Sequence, residues 1–308
     1  MSQKNNNSRI TLEGKMDDWG PFGKNEGKWL IFSIGNPVEG HGYALPRNID
    51  DLHSQRIAHL ISCKIGGRYV AHIPWATDNF TVVAKDWAPK SIPVEEIVPK
   101  IIDFMKFHIE IYKRMNLPTS NVFIYSGHGG NRPIAQYSDE IKKALQLEKL
   151  IVADTDAFAD DIEDRALDEV TKLSAQLAGE GEDPRQIRRA LVQILLSIAH
   201  AGHFEHCLGA AMGILDEEKL KIMNQELEKD FEAALKKWPP LGGLGGFLLA
   251  GGEYTEALGT KENDKFGLWK CLKRLRRLDH GKVRVYKELG ELMINLIVDY
   301  FSEMLVNA

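Results

Sequence analysis

Three segments of this chain carry side chains that can bind metal or move protons. In the first, Gly35-Asn36-Pro37-Val38-Glu39-Gly40-His41-Gly42, with Arg47 and Asp50 downstream, residue types that ligate divalent metals follow a β-rich run. Glu39 and His41 are two apart, so in extended backbone both side chains leave the same face and can converge on one ion or on two adjacent ions. A structural alternative makes Asp50 the N-cap of the next helix, His41 a turn residue and Glu39 a solvated carboxylate. The second segment, Ser126-Gly127-His128-Gly129-Gly130-Asn131-Arg132, sets a histidine between glycines, which allow close backbone approach, and Asn131 can cap the next helix. Its alternative is a metal-free anion nest, although the GxxxxGK[ST] spacing of a phosphate loop is missing. The third, His200-Ala201-Gly202-His203-Phe204-Glu205-His206, crowds three histidines and a glutamate together. At i, i+3 spacing the histidines can line one helix face as a self-contained zinc site, or the segment is a polar helix start with Glu205 favoured by the helix dipole.

The elements that must position these loops are legible from periodicity. Near-continuous apolar runs at residues 29–34, 68–73, 121–125 and 149–153 read as strands buried on both faces. Helix-period stretches at about 50–63, 94–115 and 133–145 separate them, the order that builds a parallel sheet covered by helices. The first two chemical segments then lie at strand carboxyl ends, where open parallel sheets bind ligands. From about residue 160 to 196 the pattern is helical, broken at 179–184. Helices are expected at about 208–214, 266–278 and 282–301. The Gly-rich stretch 241–252 reads as a packed loop, because Phe247, Leu248 and Leu249 lie within it. Residues 1–26 form a polar N-terminal segment, and 27–308 are read as one domain.

The chain has 308 residues, a net charge of −5 and an average globular composition of 44% hydrophobic and 27% charged residues. That excludes disordered and collagen-like classes and speaks against a nucleic-acid or anionic-membrane footprint. Three scattered cysteines without a CxxC pair give neither a disulfide framework nor a thiolate zinc site. With no apolar run of export or membrane-spanning length, the expectation is a cytoplasmic protein with a small-molecule partner.

Together the segments resemble the creatininase (creatinine amidohydrolase) family of metal-dependent hydrolases. Glu39-Gly40-His41-Gly42 with Asp50 is similar to that family's Glu-x-His-Gly followed nine residues later by Asp. Ser126-Gly127-His128-Gly129-Gly130-Asn131 is similar to its Asn-Gly-His-Gly-Gly-Asn loop, and His200-Ala201-Gly202 with Glu205 to its His-x-Gly-x-x-Glu segment. The likeness spans about residues 28–215, and Gly251-Gly252-Glu253-Tyr254 adds a weaker match. The resemblance implies an α/β fold, a three-layer αβα arrangement with a central, mainly parallel sheet and a helical C-terminal part. It implies a mono- or dinuclear centre held by Glu39, His41, Asp50, His128 and Glu205, with Asp50 bridging, His200 as the acid/base residue, and a symmetric homo-oligomer such as a hexamer. Independently, a ligand set of nitrogen and oxygen without thiolate suits zinc foremost, with manganese or iron as other choices, and makes calcium a poor fit.

The departures bear on substrate. Creatinine-specific members carry a carboxylate where this chain has Gly130, so Glu205 must supply that ligand or one metal is lost. Their Ser-Pro-Glu-His substrate loop is replaced by Pro74-Trp75-Ala76-Thr77-Asp78-Asn79-Phe80, and His203 and His206 stand where many members have Glu and Thr. The polar set Asp78, Asn79, Arg132 and Arg47 suits a polyhydroxylated substrate. The expectation is therefore a metal-dependent hydrolase that opens a keto-inositol such as 3-dehydro-scyllo-inosose, with a cyclic amide or formamide as the alternative. A non-catalytic small-anion-binding protein on the same fold is the reading from another class.

Overall fold

A computed structural model describes residues 27–78, 88–154, 156–179, 183–195, 200–241 and 282–308, with positions 260, 262, 263 and 270. In chain order its elements are β1 Trp29–Ile34, α1 Ile49–Ile65, β2 Arg68–Ile73, α2 Val94–Arg114, β3 Asn121–Ser126, a 3-10 helix Gly129–Tyr137, α3 Ser138–Leu145 and β4 Lys149–Asp154. Then come α4 Asp156–Leu177, α5 Pro184–Leu195, α6 His203–Ala211, α7 Glu217–Lys229, α8 Phe231–Lys237 and α9 Lys287–Asn307.

The strands pair in the order β2-β1-β3-β4, and every pairing is parallel. Parallel neighbours need crossovers, and helices supply them, so both sheet faces are covered. Because side chains alternate along a strand, β1 divides its apolar residues between two cores. Ile31 packs with Phe123 and Tyr125 of β3 against α1, α4, α5, α6 and α9. Leu30, Phe32 and Ile34 face the other way, towards Ile97, Ile101, Met105 and Ile109 of α2 and Ile141 and Leu145 of α3. This is the three-layer αβα arrangement expected from the sequence, with helices dominating the C-terminal half. A third, smaller cluster under the metal-type loop gathers Ala44, Ala201, Met223, Phe231, Trp238 and Leu241.

Several local expectations change. The helix start at residue 133 is a 3-10 helix beginning at Gly129, with the α-helix delayed to Ser138. Asp50 is not an N-cap: the helix begins at Ile49 after Asn48, leaving the Asp50 carboxylate free to turn to the sheet edge. Helix α6 starts at His203, five residues before the expected 208. Cys63 is exposed and Cys207 is buried. Of the Gly-rich stretch 241–252 only Leu241 is among the described residues; it is buried and would meet a Cβ at Gly42 at 2.6 Å. The expected helix at 266–278, apart from position 270, and Asn79 lie outside the described residues. No helix among the described residues is long and apolar enough to cross a membrane.

Candidate metal centre

The carboxyl ends of β1 and β3 lie side by side, since Ile34 pairs with Ser126. The loops beyond them are stitched to the first turn of α1. Ser54 Oγ lies 2.7 Å from the Ile34 carbonyl and 2.6 Å from the Asp50 carbonyl, and accepts a hydrogen bond from the Gly127 amide at 2.8 Å. The approach is so close that a Cβ at Gly35 would sit 2.5 Å from the Asp50 backbone carbon. Asp50 is therefore fixed between the two histidine loops, in a helix first turn whose dipole favours a carboxylate.

Around it the structure gathers all six residues singled out by the resemblance. Asp50 Oδ1 lies 3.2 Å from His41 Nε2, and its Oδ2 lies 3.1 Å from His128 Nδ1. Each carboxylate oxygen thus faces a different imidazole. Glu39 Oε2 is 3.0 Å from His128 Nδ1, and Glu205 Oε2 is 3.6 Å from His41 Nε2. Two triads result, Glu39-Asp50-His128 and His41-Asp50-Glu205, joined through Asp50. A third grouping, Glu39-His41-His200, adds His200 at their side, its Nδ1 3.4 Å from Glu39 Oε1. The Nε2 of His200 lies 2.7 Å from the Gly40 carbonyl, so the ring donates there and turns Nδ1 to Glu39.

The donor atoms fit a divalent ion. Glu39 Oε2, His41 Nε2 and Asp50 Oδ2 are buried and make no aligned hydrogen bond, although oppositely polar atoms stand close by. Buried polar atoms are normally paired, so such a group is what ligands converging on a shared ion present. Electrostatics agree. Burial alone would lower the pKa of His41, but Asp50, Glu205 and Glu39 together raise it to about 10. His128 is held well above the ordinary imidazole value against the same burial, chiefly by Glu39 and Asp50. Burial would raise Asp50, yet His41 and His128 hold it well below the usual carboxylate range. Burial raises Glu205, with His41 and His200 opposing. Without a cation, protons on the imidazoles balance the carboxylates.

Both readings of the third segment contribute. Glu205 reaches back across the first turn of α6 and accepts from the Ala201 amide at 2.6 Å, as a helix-capping carboxylate does, while also facing His41. Ala201 adopts a left-handed φ of +51°, uncommon for a residue with a Cβ, in the turn that sets His200 and Glu205 on the same side. The self-contained zinc site does not form. His203 Nδ1 accepts from the Arg284 amide at 3.0 Å, and His206 Nδ1 donates to the Gly202 carbonyl at 2.8 Å. These rings anchor the 282–286 segment and the start of α6, together with Asn224, which pairs with both backbone groups of Val283.

Asp78 is buried, and its Oδ2 lies 3.8 Å from His128 Nε2. Arg132 and Arg47 are exposed. The open side of the cluster is marked by Glu205 and His200, whose side chains are 22% and 18% exposed while the other four are nearly or wholly buried. Sequence reasoning missed Asn36, whose Oδ1 accepts from Val38 and whose Nδ2 approaches His128 Nε2 at 3.5 Å. A polar Asn two residues past the end of β1, at the sheet edge where the ligand-type loop begins, is the signal that could have found it. Asn131 caps no helix. Its Oδ1 accepts from the Thr77 amide and its Nδ2 lies within reach of the Gly35 carbonyl and Ser126 Oγ, tying three loops together.

A three-layer αβα fold with a carboxylate-imidazole centre at the carboxyl edge of a parallel sheet defines the class. No protein-family model matches the sequence. Among solved structures, creatinine amidohydrolase (creatininase) superposes with a TM-score of 0.51 over 91% of this chain and 89% of that one, at 15% identity. A manganese creatininase gives a TM-score of 0.50 over 90% of each chain, at 14% identity. The chain has the creatininase fold. In sequence, 118 residues, 38% of this chain, are 29% identical to 2-amino-5-formylamino-6-ribosylaminopyrimidin-4(3H)-one 5'-monophosphate deformylase of Methanosphaera stadtmanae. That match spans about half the relative's length, 47%.

Proposed function

We propose that this chain is a metal-dependent hydrolase that cleaves the carbon–nitrogen bond of a formamide or cyclic amide. The observation that carries the reading is the pair of buried triads sharing Asp50, with His200 beside them on the solvent-facing side. Glu39, Asp50 and His128 would hold one ion and His41, Asp50 and Glu205 a second. A bound ion there would lower the pKa of water towards about 7 and polarise a carbonyl oxygen. The protein's own part is to orient and to move protons. Hydrolysis adds water across the C–N bond, and the departing nitrogen needs a proton. His200 Nδ1, at the open side and 3.4 Å from Glu39 Oε1, would take a proton from the attacking water and pass it to that nitrogen.

A formamide is favoured over a polyhydroxylated ring for two reasons. The Methanosphaera stadtmanae deformylase, by its name, acts on a formylamino group. Of the described residues invoked for hydroxyl recognition, Asp78 is turned to His128, and Arg47 and Arg132 are exposed. The test is to load the purified protein with zinc, manganese or iron and offer N-formyl amines, lactams and oxo-inositols in separate assays. Formate or ring-opened amino acid, lost in the His200→Ala variant, supports the proposal. Turnover of oxo-inositols alone would overturn the amide reading, and metal-free protein of unchanged stability with no turnover would point to an anion-binding protein.

A further inference from the structure

The Nε2 side of His128, away from the carboxylates, is built as carefully as the Nδ1 side. The ring presents Nδ1 to Glu39 and Asp50, at 3.0 and 3.1 Å. Its Nε2 lies 3.2 Å from the Thr77 carbonyl oxygen and 3.8 Å from Asp78 Oδ2. Both neighbours are acceptors, and both are buried. The competing donor, Asn36 Nδ2 at 3.5 Å, stands farther off than the carbonyl though nearer than the Asp78 oxygen. The Thr77 carbonyl is itself placed, because the Thr77 amide donates to Asn131 Oδ1 at 3.0 Å while Asn131 Nδ2 reaches the Gly35 carbonyl at 2.9 Å. Gly130 completes the slot: a Cβ there would lie 2.3 Å from His128 Nε2 and 3.0 Å from the Asp78 Cα.

We propose that Asp78 is a positioning residue, which with the Thr77 carbonyl keeps the proton of His128 on Nε2 and so commits Nδ1 to the metal. The proposal rests on the metal-dependent hydrolase reading. A ligating imidazole must release one proton. Here the acceptors on the Nε2 side retain theirs, and the atom facing Glu39 and Asp50 gives its up. The Thr77 carbonyl, within hydrogen-bond distance, fixes the tautomer, and the Asp78 carboxylate just beyond it adds negative charge that favours a proton on Nε2; losing such support behind a ligating histidine weakens metal affinity by about 10–100-fold. The same packing accounts for Gly130: a carboxylate-bearing residue there would strike the ring, so a third carboxylate has to enter from elsewhere, and Glu205 does so from α6.

The experiment is nitrogen-15 NMR of the zinc-loaded protein labelled at histidine, with His128 assigned by its absence in His128→Ala, together with zinc affinity by chelator competition. The expected spectrum shows His128 protonated on Nε2 and metal-bound through Nδ1. Asp78→Asn, which keeps the shape and removes the charge, is expected to lose about tenfold or more in zinc affinity with the unfolding temperature of the metal-free protein unchanged. Zinc bound through Nε2, or full affinity in Asp78→Asn, overturns the proposal while leaving the hydrolase reading intact. If Asp78→Asn does not fold, the wild-type spectrum alone decides. A wild-type protein that takes up no zinc overturns the hydrolase reading and this one with it.

Discussion

At the scale of single residues, the centre is a balance between three carboxylates and the imidazoles they hold protonated. Asp50 is the residue both halves share, so Asp50→Asn is expected to lose both ions, whereas His128→Ala removes a ligand from one triad only. Metal analysis after dialysis, paired with turnover, checks this: full metal content with more than about a tenth of wild-type activity in either variant would refute the ligand assignment. A neighbouring histidine behaves oppositely. His53 is buried in α1 beneath the same loop, and burial, only partly offset by Asp50 and Gly127, pushes its pKa down to about 4. Its folded value lies below its unfolded value of 6.5. Stability from keeping it neutral is therefore complete above 6.5 and drains away as pH falls towards 4, with a limiting slope of about 1.4 kcal/mol per pH unit. Denaturant titrations of wild type and His53→Gln should diverge less as the pH is lowered through that window; curves with an unchanged gap would show that His53 does not titrate this way. The candidate ligand residues were legible in the sequence because Glu, His and Asp recur at strand ends among glycines. The role of Asp78 was not, since nothing in Ala76-Thr77-Asp78 says whether the carboxylate turns outward to a substrate or inward to a histidine.

At the scale of elements, legibility tracked burial. All four strands stood out because strands covered on both faces carry unbroken apolar runs, and α2 because Ile97, Ile101, Met105 and Ile109 repeat at the helical period. Helices α7 and α8 were missed. Their apolar residues, such as Met223, Leu227 and Phe231, serve a small satellite core, and only the capping aspartates Asp216 and Asp230 announce them. The start of α6 was also misplaced, because His203 and His206 read as polar or metal-binding while their actual work is to accept from or donate to backbone. One packing feature no pattern reveals is the crossing of α9 over α6. A Cβ at Gly290 would lie 2.1 Å from the Cys207 carbonyl oxygen, a backbone atom that cannot step aside. Gly290→Ala should therefore cost about 1–3 kcal/mol in denaturant unfolding. Because α6 carries Glu205, zinc affinity should fall in the same variant. A fully stable Gly290→Ala with wild-type affinity would mean that the two helices separate without strain.

At the scale of the whole molecule, the centre ties together loops from β1 and β3, the first turn of α1 and the start of α6, so its charge state should be felt in global stability. In metal-free protein, protonated His41 neutralises part of the buried negative charge. Its folded pKa of about 10 lies above the unfolded 6.5, so the stability it contributes is complete below 6.5 and is lost as pH rises towards 10. His128, shifted in the same direction, adds to the loss. A bound divalent cation replaces those protons and removes the dependence, because deprotonated imidazoles are then the required ligands. Metal loading should therefore release protons, measurable in weakly buffered solution at pH 7.5. The stabilisation by metal should also grow with pH: an ion free at about 100 times its Kd adds about 2.7 kcal/mol, and Kd itself tightens as the competing protons leave. The shift in unfolding temperature on adding zinc should accordingly be larger at pH 9 than at pH 6.5. A shift that is equal at the two values, with no proton release, would place the ion elsewhere than between His41, Asp50 and His128.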